Sequence, residues 1–134
     1  MRRHARRLAL GLEAATALAV AQVAIRVLPA SRVSRLMGRP FPAHPRAPAA
    51  PPPAAVRRVG VAVHRVARVL PWRPTCLPQA VATAAMLRRR GVAAWSHLGI
   101  TATAPLEAHA WVTVNGHVVI GGPVAHATEV AAFR

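Results

Sequence analysis

The sequence predicts an α+β fold in which a helix that carries a cysteine packs on antiparallel strands that carry a histidine, with further helices before them. Cys76 opens a helical pattern that runs to Arg90, and His109 opens an alternating, strand-like run. Asn115-Gly116, the strongest short signal for a β-hairpin, follows that run. The order along the chain is therefore the Cys helix, the His strand and a returning strand.

Length and composition indicate a single small domain, or one domain with an appendage. Of the 134 residues, 54% are hydrophobic but only 4% aromatic, so we expect a small and finely packed core. All 18 basic residues are arginine, against 3 acidic residues, which gives a net charge of +15. This charge could reflect a coding bias. It could also serve to bind an acidic partner, a nucleic acid or a membrane surface. No aromatic residues alternate with the arginines, which counts against nucleic acid.

The single cysteine excludes an internal disulfide bond, and no Cys/His spacing is typical of a zinc site. We therefore expect neither a metal nor a cofactor, and a free thiol suits the reducing cytoplasm. A lone cysteine is more often a small buried hydrophobe than a nucleophile. Here its position at a helix start, with a histidine downstream, favours the nucleophile.

Residues 1–38 are predicted to form an N-terminal helical region. A basic start is followed by a mostly apolar run, which a secretory signal or a short membrane anchor would also show. Glu13 and Gln22 interrupt that run, so the pattern favours an amphipathic or core helix over 5–28, ended by Pro29. A peripheral contact of this helix with a membrane stays open.

A proline-rich linker is predicted over 39–53, because each proline removes an amide donor and disfavours helix at the residue before it. Helical spacing returns from Ala54 to Leu70, with valines on one side and arginines mostly on the other, where simple solvation is the favoured interpretation. Pro71 ends this helix. Residues 54–134 are predicted to form the functional core.

The helix over 76–90 is expected to hold Cys76 in its first turn. Thr75 is an acceptable N-cap, Pro78 is tolerated in the first turn, and Gly91 supplies a left-handed cap at the other end. The positive end of a helix and a nearby imidazole both stabilise the thiolate, the reactive form of cysteine. Free amides of the same turn could also hold an oxyanion. The candidate residues for lining that site are Leu77 and Gln79.

Strands and a turn are predicted after this helix. The pattern becomes strand-like from Val92 to Ile100, and the strand 109–114 turns back into 117–120. A two-residue turn would give these pairs: Val114 with His117, Trp111 with Ile120, and His109 with Gly122.

These segments resemble the transglutaminase-like branch of the papain-type cysteine fold, and more closely the small leader peptidases of lasso-peptide biosynthesis. The resemblance covers about residues 54–122. The matching segments are Pro74-Thr75-Cys76-Leu77-Pro78-Gln79-Ala80, Leu87-Arg88-Arg89-Arg90-Gly91-Val92, His97-Leu98-Gly99-Ile100, Ala108-His109-Ala110-Trp111-Val112 and Val118-Val119-Ile120-Gly121-Gly122.

The resemblance implies a cysteine peptidase that removes the leader from a ribosomally made lasso-peptide precursor through an acyl-enzyme. Cys76 would attack the last leader carbonyl, and His109 would take and return the proton. The implied partners are the precursor peptide, a separate leader-binding protein and an ATP-dependent cyclase. A transglutaminase-like acyltransferase or amidase, and a non-catalytic basic scaffold, remain as alternatives.

The chain departs from that family at the third catalytic position, where a carboxylate usually lies beside the histidine. It contains no aspartate, and the predicted pairing puts Gly121 and Gly122 there. The candidates for orienting His109 are a backbone carbonyl, a partner residue, and the side chains of Glu107, Asn115 and Glu129, the last in the C-terminal tail. A Cys-His dyad can still function, because the third group chiefly fixes the tautomer and orientation of the imidazole. Reduced activity or a pseudoenzyme is the alternative.

Overall fold

A computed structural model of the chain describes residues 1–41, 49–101, 105–122, 124 and 127–134. In that part of the chain the elements are, in order, α1 (Arg2–Val27), α2 (Ala30–Met37), β1 (Pro40–Phe41), α3 (Ala54–Val69), α4 (Cys76–Arg89), β2 (Trp95–Thr101), β3 (Ala108–Val114), β4 (His117–Ile120) and β5 (Ala127–Phe133). The predicted α+β class, with helices ahead of a Cys helix and antiparallel strands, is confirmed.

The five strands form one antiparallel sheet in the order β1-β5-β2-β3-β4. The sequence pattern does not predict β5, and the expected C-terminal tail is instead a strand. Four of its seven side chains are alanine or threonine, so its alternation is weak as a signal. β5 nevertheless lies inside the sheet, between β1 and β2.

The core lies between the sheet and the helices. α4 is buried from several directions, because it packs on β3 of the sheet and also on the helices α1 and α3. Its inward positions are mostly small, which lets these elements approach closely. The buried residues of α4 are Pro78, Ala80, Val81, Ala82, Thr83, Ala84, Met86 and Leu87. β3 contributes Ala110, Val112 and Val114 to the same core.

The N-terminal helices pack against this core. α1 buries Ala14, Leu18 and Ala21 against α3 and α4. β1, which lies in the predicted linker 39–53, pairs with β5 at the sheet edge. Residues 42–48 of that linker lie outside the described residues, and the division of the chain into 1–38, 39–53 and 54–134 stays a prediction.

α4 begins and ends close to where the sequence predicts. It starts at Cys76 and ends at Arg89, with Arg90 as its C-cap and Gly91 in the left-handed region at φ 70°. Thr75 occupies the N-cap position with extended backbone, but its side chain makes no capping hydrogen bond. The first turn of α4 is therefore capped less fully than the sequence suggests.

The hairpin turn is confirmed, and the pairing beyond it is partly wrong. Asn115 and Gly116 both have positive φ, 52° and 76°, and Val114 pairs with His117 as predicted. Trp111 does not pair with Ile120, nor His109 with Gly122: a bulge at Val119 makes Val112 the partner of Ile120. α3 packs directly on the bulged backbone, since a Cβ at Gly60 would overlap the carbonyl oxygen of Val119.

Candidate active site

Cys76 is the first residue of α4 and lies against the start of β3. The side chain is half-buried, and the thiol is free. It donates a weak hydrogen bond to the carbonyl oxygen of Ala108, 3.9 Å from Sγ. Ala108 is the first residue of β3 and immediately precedes His109. The fold thus brings the thiol to the strand end that carries the histidine.

The turn before Cys76 is held in a strained conformation. Arg73 has φ 39° although it is not glycine and precedes a proline, where extended backbone is strongly preferred. Its N–H donates to the carbonyl of Leu70 at 3.0 Å. Gln79, one turn into α4, donates from Nε2 to the carbonyl of Pro74 at 2.9 Å. Gln79 therefore ties the turn to the helix, and its role in lining an oxyanion site stays a prediction.

The imidazole of His109 is oriented by a backbone carbonyl. Nε2 lies 2.5 Å from the carbonyl oxygen of Gly121. A carbonyl oxygen can only accept, so Nε2 carries the proton. In the neutral ring, Nδ1 then has the lone pair and is the nitrogen able to act as a base.

Trp111 packs against the same imidazole. It lies two residues further along β3, on the same face as His109, and the two rings stack with centroids 5.7 Å apart and planes at 24°. A second imidazole, that of His97 on β2, also stacks on the indole, at 5.2 Å and 9°. Gly99 leaves room for the indole, because a Cβ there would lie 2.8 Å from its Cζ3 atom.

Gly121 can hold its carbonyl at His109 only as glycine. Its φ is 90°, in a region that other residues rarely adopt, and an added Cβ would lie 2.6 Å from the carbonyl oxygen of Ala110. The bulge at Val119 shifts the pairing after it by one residue, and Gly121 then lies beside Ala110 and Trp111 of β3. The Gly-Gly pair after the hairpin was the available sequence signal. Without the bulge, that signal points to the wrong register.

Glu129, a candidate for orienting His109, is bonded instead to His97. Its carboxylate contacts Nδ1 of His97, and Nε2 of that ring lies 2.8 Å from Oγ1 of Thr113. Both His97 and Thr113 are buried. These three residues, the His97 network, hold β5, β2 and β3 together through side chains.

The other two candidates lie in different places. Glu107 is exposed and two residues before His109, and its backbone N–H donates to Oγ1 of Thr101 at 2.9 Å. Asn115 lies in the turn after β3, six residues beyond His109 and about 20 Å from it at the usual rise per residue. Within the described part of the chain, no group of three or more His, Cys, Asp or Glu side chains could hold a metal ion.

The first turn of α4 offers amide donors beside the thiol. Pro78 has no N–H, and the N–H of Gln79 already points to the carbonyl of Thr75 at 3.4 Å. The N–H groups of Cys76 and Leu77 therefore remain as the pair that a helix start leaves without a helical acceptor. Amides at this position suit an oxyanion that forms on a carbonyl attacked by the thiolate.

A half-buried thiol at a helix start, next to a strand with an oriented histidine, is the arrangement of proteins that transfer acyl groups through a cysteine. A family model described as the transglutaminase-like superfamily matches residues 15–133, and the chain belongs to that family. Membership indicates chemistry of the cysteine-peptidase or acyltransferase type. The match extends beyond the 54–122 resemblance at both ends. No curated protein and no solved structure gave a significant match.

Proposed function

We propose that the protein is a cysteine peptidase that removes the leader from a lasso-peptide precursor, with Cys76 as the nucleophile and His109 as the general base. The observation that carries this proposal is the position of the thiol, 3.9 Å from the carbonyl of the residue before His109. The motif segments around both residues, which resemble the lasso-peptide leader peptidases, support the choice of substrate.

The proposed reaction begins when Nδ1 of His109 takes the thiol proton and the thiolate attacks the last leader carbonyl. The carbon–nitrogen bond breaks as the imidazolium returns the proton to the leaving amine, which is the new N-terminus of the core peptide. Water then attacks the thioester and gives a proton to His109. The carbon–sulfur bond breaks, the leader leaves as a carboxylic acid, and the proton on His109 returns to the Cys76 thiolate. The N–H groups of Cys76 and Leu77 would stabilise the oxyanion in both halves.

The Gly121 carbonyl would serve in place of the usual carboxylate. It fixes which imidazole nitrogen is protonated, which is the chief role of the third group. A carbonyl has no net charge, however, so it stabilises the imidazolium less than a carboxylate does. We therefore expect slower cleavage than a full triad gives, and part of this loss could be recovered through orientation by a bound partner.

The proposal includes partners and a compartment. A separate leader-binding protein would deliver the precursor, and an ATP-dependent cyclase would close the ring on the freed N-terminus. A cytoplasmic location is part of the same proposal, because the free thiol of Cys76 must stay reduced to act.

The experiment that tests this function is a cleavage assay read by mass spectrometry. The purified chain would be mixed with the precursor encoded beside it, with and without the neighbouring leader-binding protein. Cys76→Ala and His109→Ala should each abolish a single cut at the leader–core junction. His64→Ala, which removes an exposed histidine on α3, is the matched control and should cleave the precursor as the wild-type chain does. A cut that survives Cys76→Ala would refute the mechanism.

An acyltransferase is the second candidate, because both activities share the acyl-enzyme and differ only in the acceptor. The family to which the chain belongs includes this type of chemistry. Adding a primary amine to the assay separates them. If the main product is the leader joined to the added amine, and not the leader as a free acid, the protein is an acyltransferase.

A further inference from the structure

The solvent side of α1 is apolar, which is unusual for a helix whose other side is packed. Five large apolar side chains on it are between 60% and 72% exposed: Leu8, Leu12, Val20, Val23 and Val27. At 100° per residue these positions fall on one side of the helix, opposite the buried Ala14, Leu18 and Ala21. We call these five residues the outer stripe. It runs for about 28 Å.

Two polar residues share the side of α1 that carries the outer stripe: Thr16 in its middle and the exposed Arg26 at its C-terminal end. Thr16 lies on the same side, and its hydroxyl donates to the carbonyl of Leu12 at 2.9 Å. Glu13, the only acidic residue of α1, is bonded by both carboxylate oxygens to Arg90, at 2.8 and 2.7 Å. Between Leu8 and Val23 the side therefore presents mainly apolar surface, and Arg26 adds a positive charge at its end.

A cationic groove borders the outer stripe along α1. It lies between α1 and α3 and encloses about 830 Å³. Glu13 and Arg90 at its wall neutralise one another, and Val61 of α3, 47% exposed, adds apolar surface. Five further arginines line this groove, which we call the arginine groove: Arg3, Arg6, Arg7, Arg58 and Arg65.

We propose that the outer stripe and the arginine groove together form a docking surface for an anionic lipid bilayer. A helix with an apolar side and arginines beside it lies in the membrane interface, with its apolar side a few ångströms below the headgroups. Arginine binds phosphate groups through its planar fork, so the groove would take the headgroups of anionic lipids next to the inserted stripe.

Charge and packing decide between this occupant and two others. A second copy of the chain would bring two arginine grooves together, and each chain carries a net charge of +15. By length and composition alone, α1 could also cross a membrane. Its inner side, however, packs on α3 and α4, and Glu13 on its flank pairs with Arg90; a spanning helix would lose both sets of contacts.

The arginine groove lies at the far end of α4 from the candidate active site. The arginine groove is next to Arg90, at the C-terminal end of α4, and Cys76 is at the other end, about 20 Å away. Membrane docking does not depend on the proposed peptidase activity. Cys76→Ala should bind vesicles like the original chain, so the two proposals can fail separately.

Sedimentation of the full chain with lipid vesicles tests the proposal. We expect binding to vesicles that contain phosphatidylglycerol, weaker binding to phosphatidylcholine alone, and a loss of binding as salt is raised. Val20→Gln/Val23→Gln should reduce the partition coefficient at least about tenfold. The matched control, Val69→Gln/Val130→Gln, changes two valines outside the stripe that are at least 59% exposed and should bind as before.

Two double variants that each remove two positive charges test the role of the arginine groove. Arg6→Gln/Arg58→Gln should weaken binding to anionic vesicles about tenfold, since each arginine near the surface contributes a several-fold factor. Arg57→Gln/Arg68→Gln removes two exposed arginines of α3 that do not line the groove and should have a smaller effect. Circular dichroism would check that each variant is folded.

Several outcomes would overturn the proposal. Folded wild-type protein that does not sediment with anionic vesicles at low salt would refute it. Equal losses in the test and control variants would show general charge or surface effects only. A dimer that Val20→Gln/Val23→Gln converts to a monomer would assign the stripe to a second copy. Bound protein that resists alkaline carbonate extraction would indicate a spanning helix.

Discussion

Nε2 of His109 donates a hydrogen bond to the carbonyl oxygen of Gly121, 2.5 Å away, across the bulged end of the hairpin. This bond joins the register of β4 to the protonation of the imidazole, because the nitrogen that faces a carbonyl must carry the proton. A change in the position of the Gly121 backbone should therefore alter the chemistry of His109 without touching its side chain.

Gly121→Ala should lower both stability and cleavage. Its positive φ and the close approach to Ala110 predict a loss of about 1–3 kcal/mol in the free energy of unfolding. The displaced carbonyl should also reduce kcat about tenfold or more in the protein that remains folded. Gly122→Ala is the control, because its Cβ would meet only the side chain of Val118. Urea unfolding and the cleavage assay measure the two effects, and equal behaviour of the two variants would contradict the assigned role.

Alkylation by iodoacetamide should report directly on the pairing of Cys76 with His109. The chain has one cysteine, so mass spectrometry follows one site without ambiguity. We expect His109→Ala to slow labelling at neutral pH about tenfold, because the thiolate loses its neighbouring imidazole. His64→Ala should label at the original rate. A rate that does not change in His109→Ala would mean that the imidazole does not act on the thiol.

The His97 network should be structural. Glu129→Ala removes the carboxylate from a buried histidine and leaves a polar ring without its partner, which costs about 2–4 kcal/mol. Glu107→Ala, at an exposed position, should change the free energy of unfolding by about 0.5 kcal/mol or less. Urea unfolding measures both. If Glu129→Ala instead abolished cleavage while the protein kept its stability, Glu129 would be the orienting acid after all.

The sequence was sufficient to predict α4 and the hairpin turn because the signals for both are local. The apolar spacing after Cys76 and the left-handed cap at Gly91 lie within a few turns of one another, and Asn115-Gly116 suits only a tight turn. These local signals specify where the thiol and the histidine lie along the chain, but not how the histidine is oriented.

What the sequence could not predict depends on contacts between distant segments. The bulge at Val119 accompanies the close approach of Gly60 from α3, and no pattern within β4 indicates it. The bond between Glu129 and His97 requires β5 to enter the sheet beside β2, and the small side chains of β5 give little alternation to detect. The orientation of the His109 imidazole depends on this bulge, so the sequence did not predict that orientation either.

The ion pair between Glu13 and Arg90 should make the packing of α1 sensitive to acid. The hydrogen bond and charge of Arg90 lower the pKa of the Glu13 carboxyl below its usual value. Because the unfolded chain binds that proton more readily, the pair stabilises the native state above the usual glutamate pKa, and the effect is lost as the pH falls through the lowered value. Glu13→Gln should therefore cost roughly 1 kcal/mol or less at neutral pH, since the pair is partly exposed to solvent, and nothing in strong acid. Urea unfolding of both proteins across this pH range measures the difference, with Glu107→Gln as the control. A cost that stays constant into strong acid would show that Glu13 contributes by packing and not by charge.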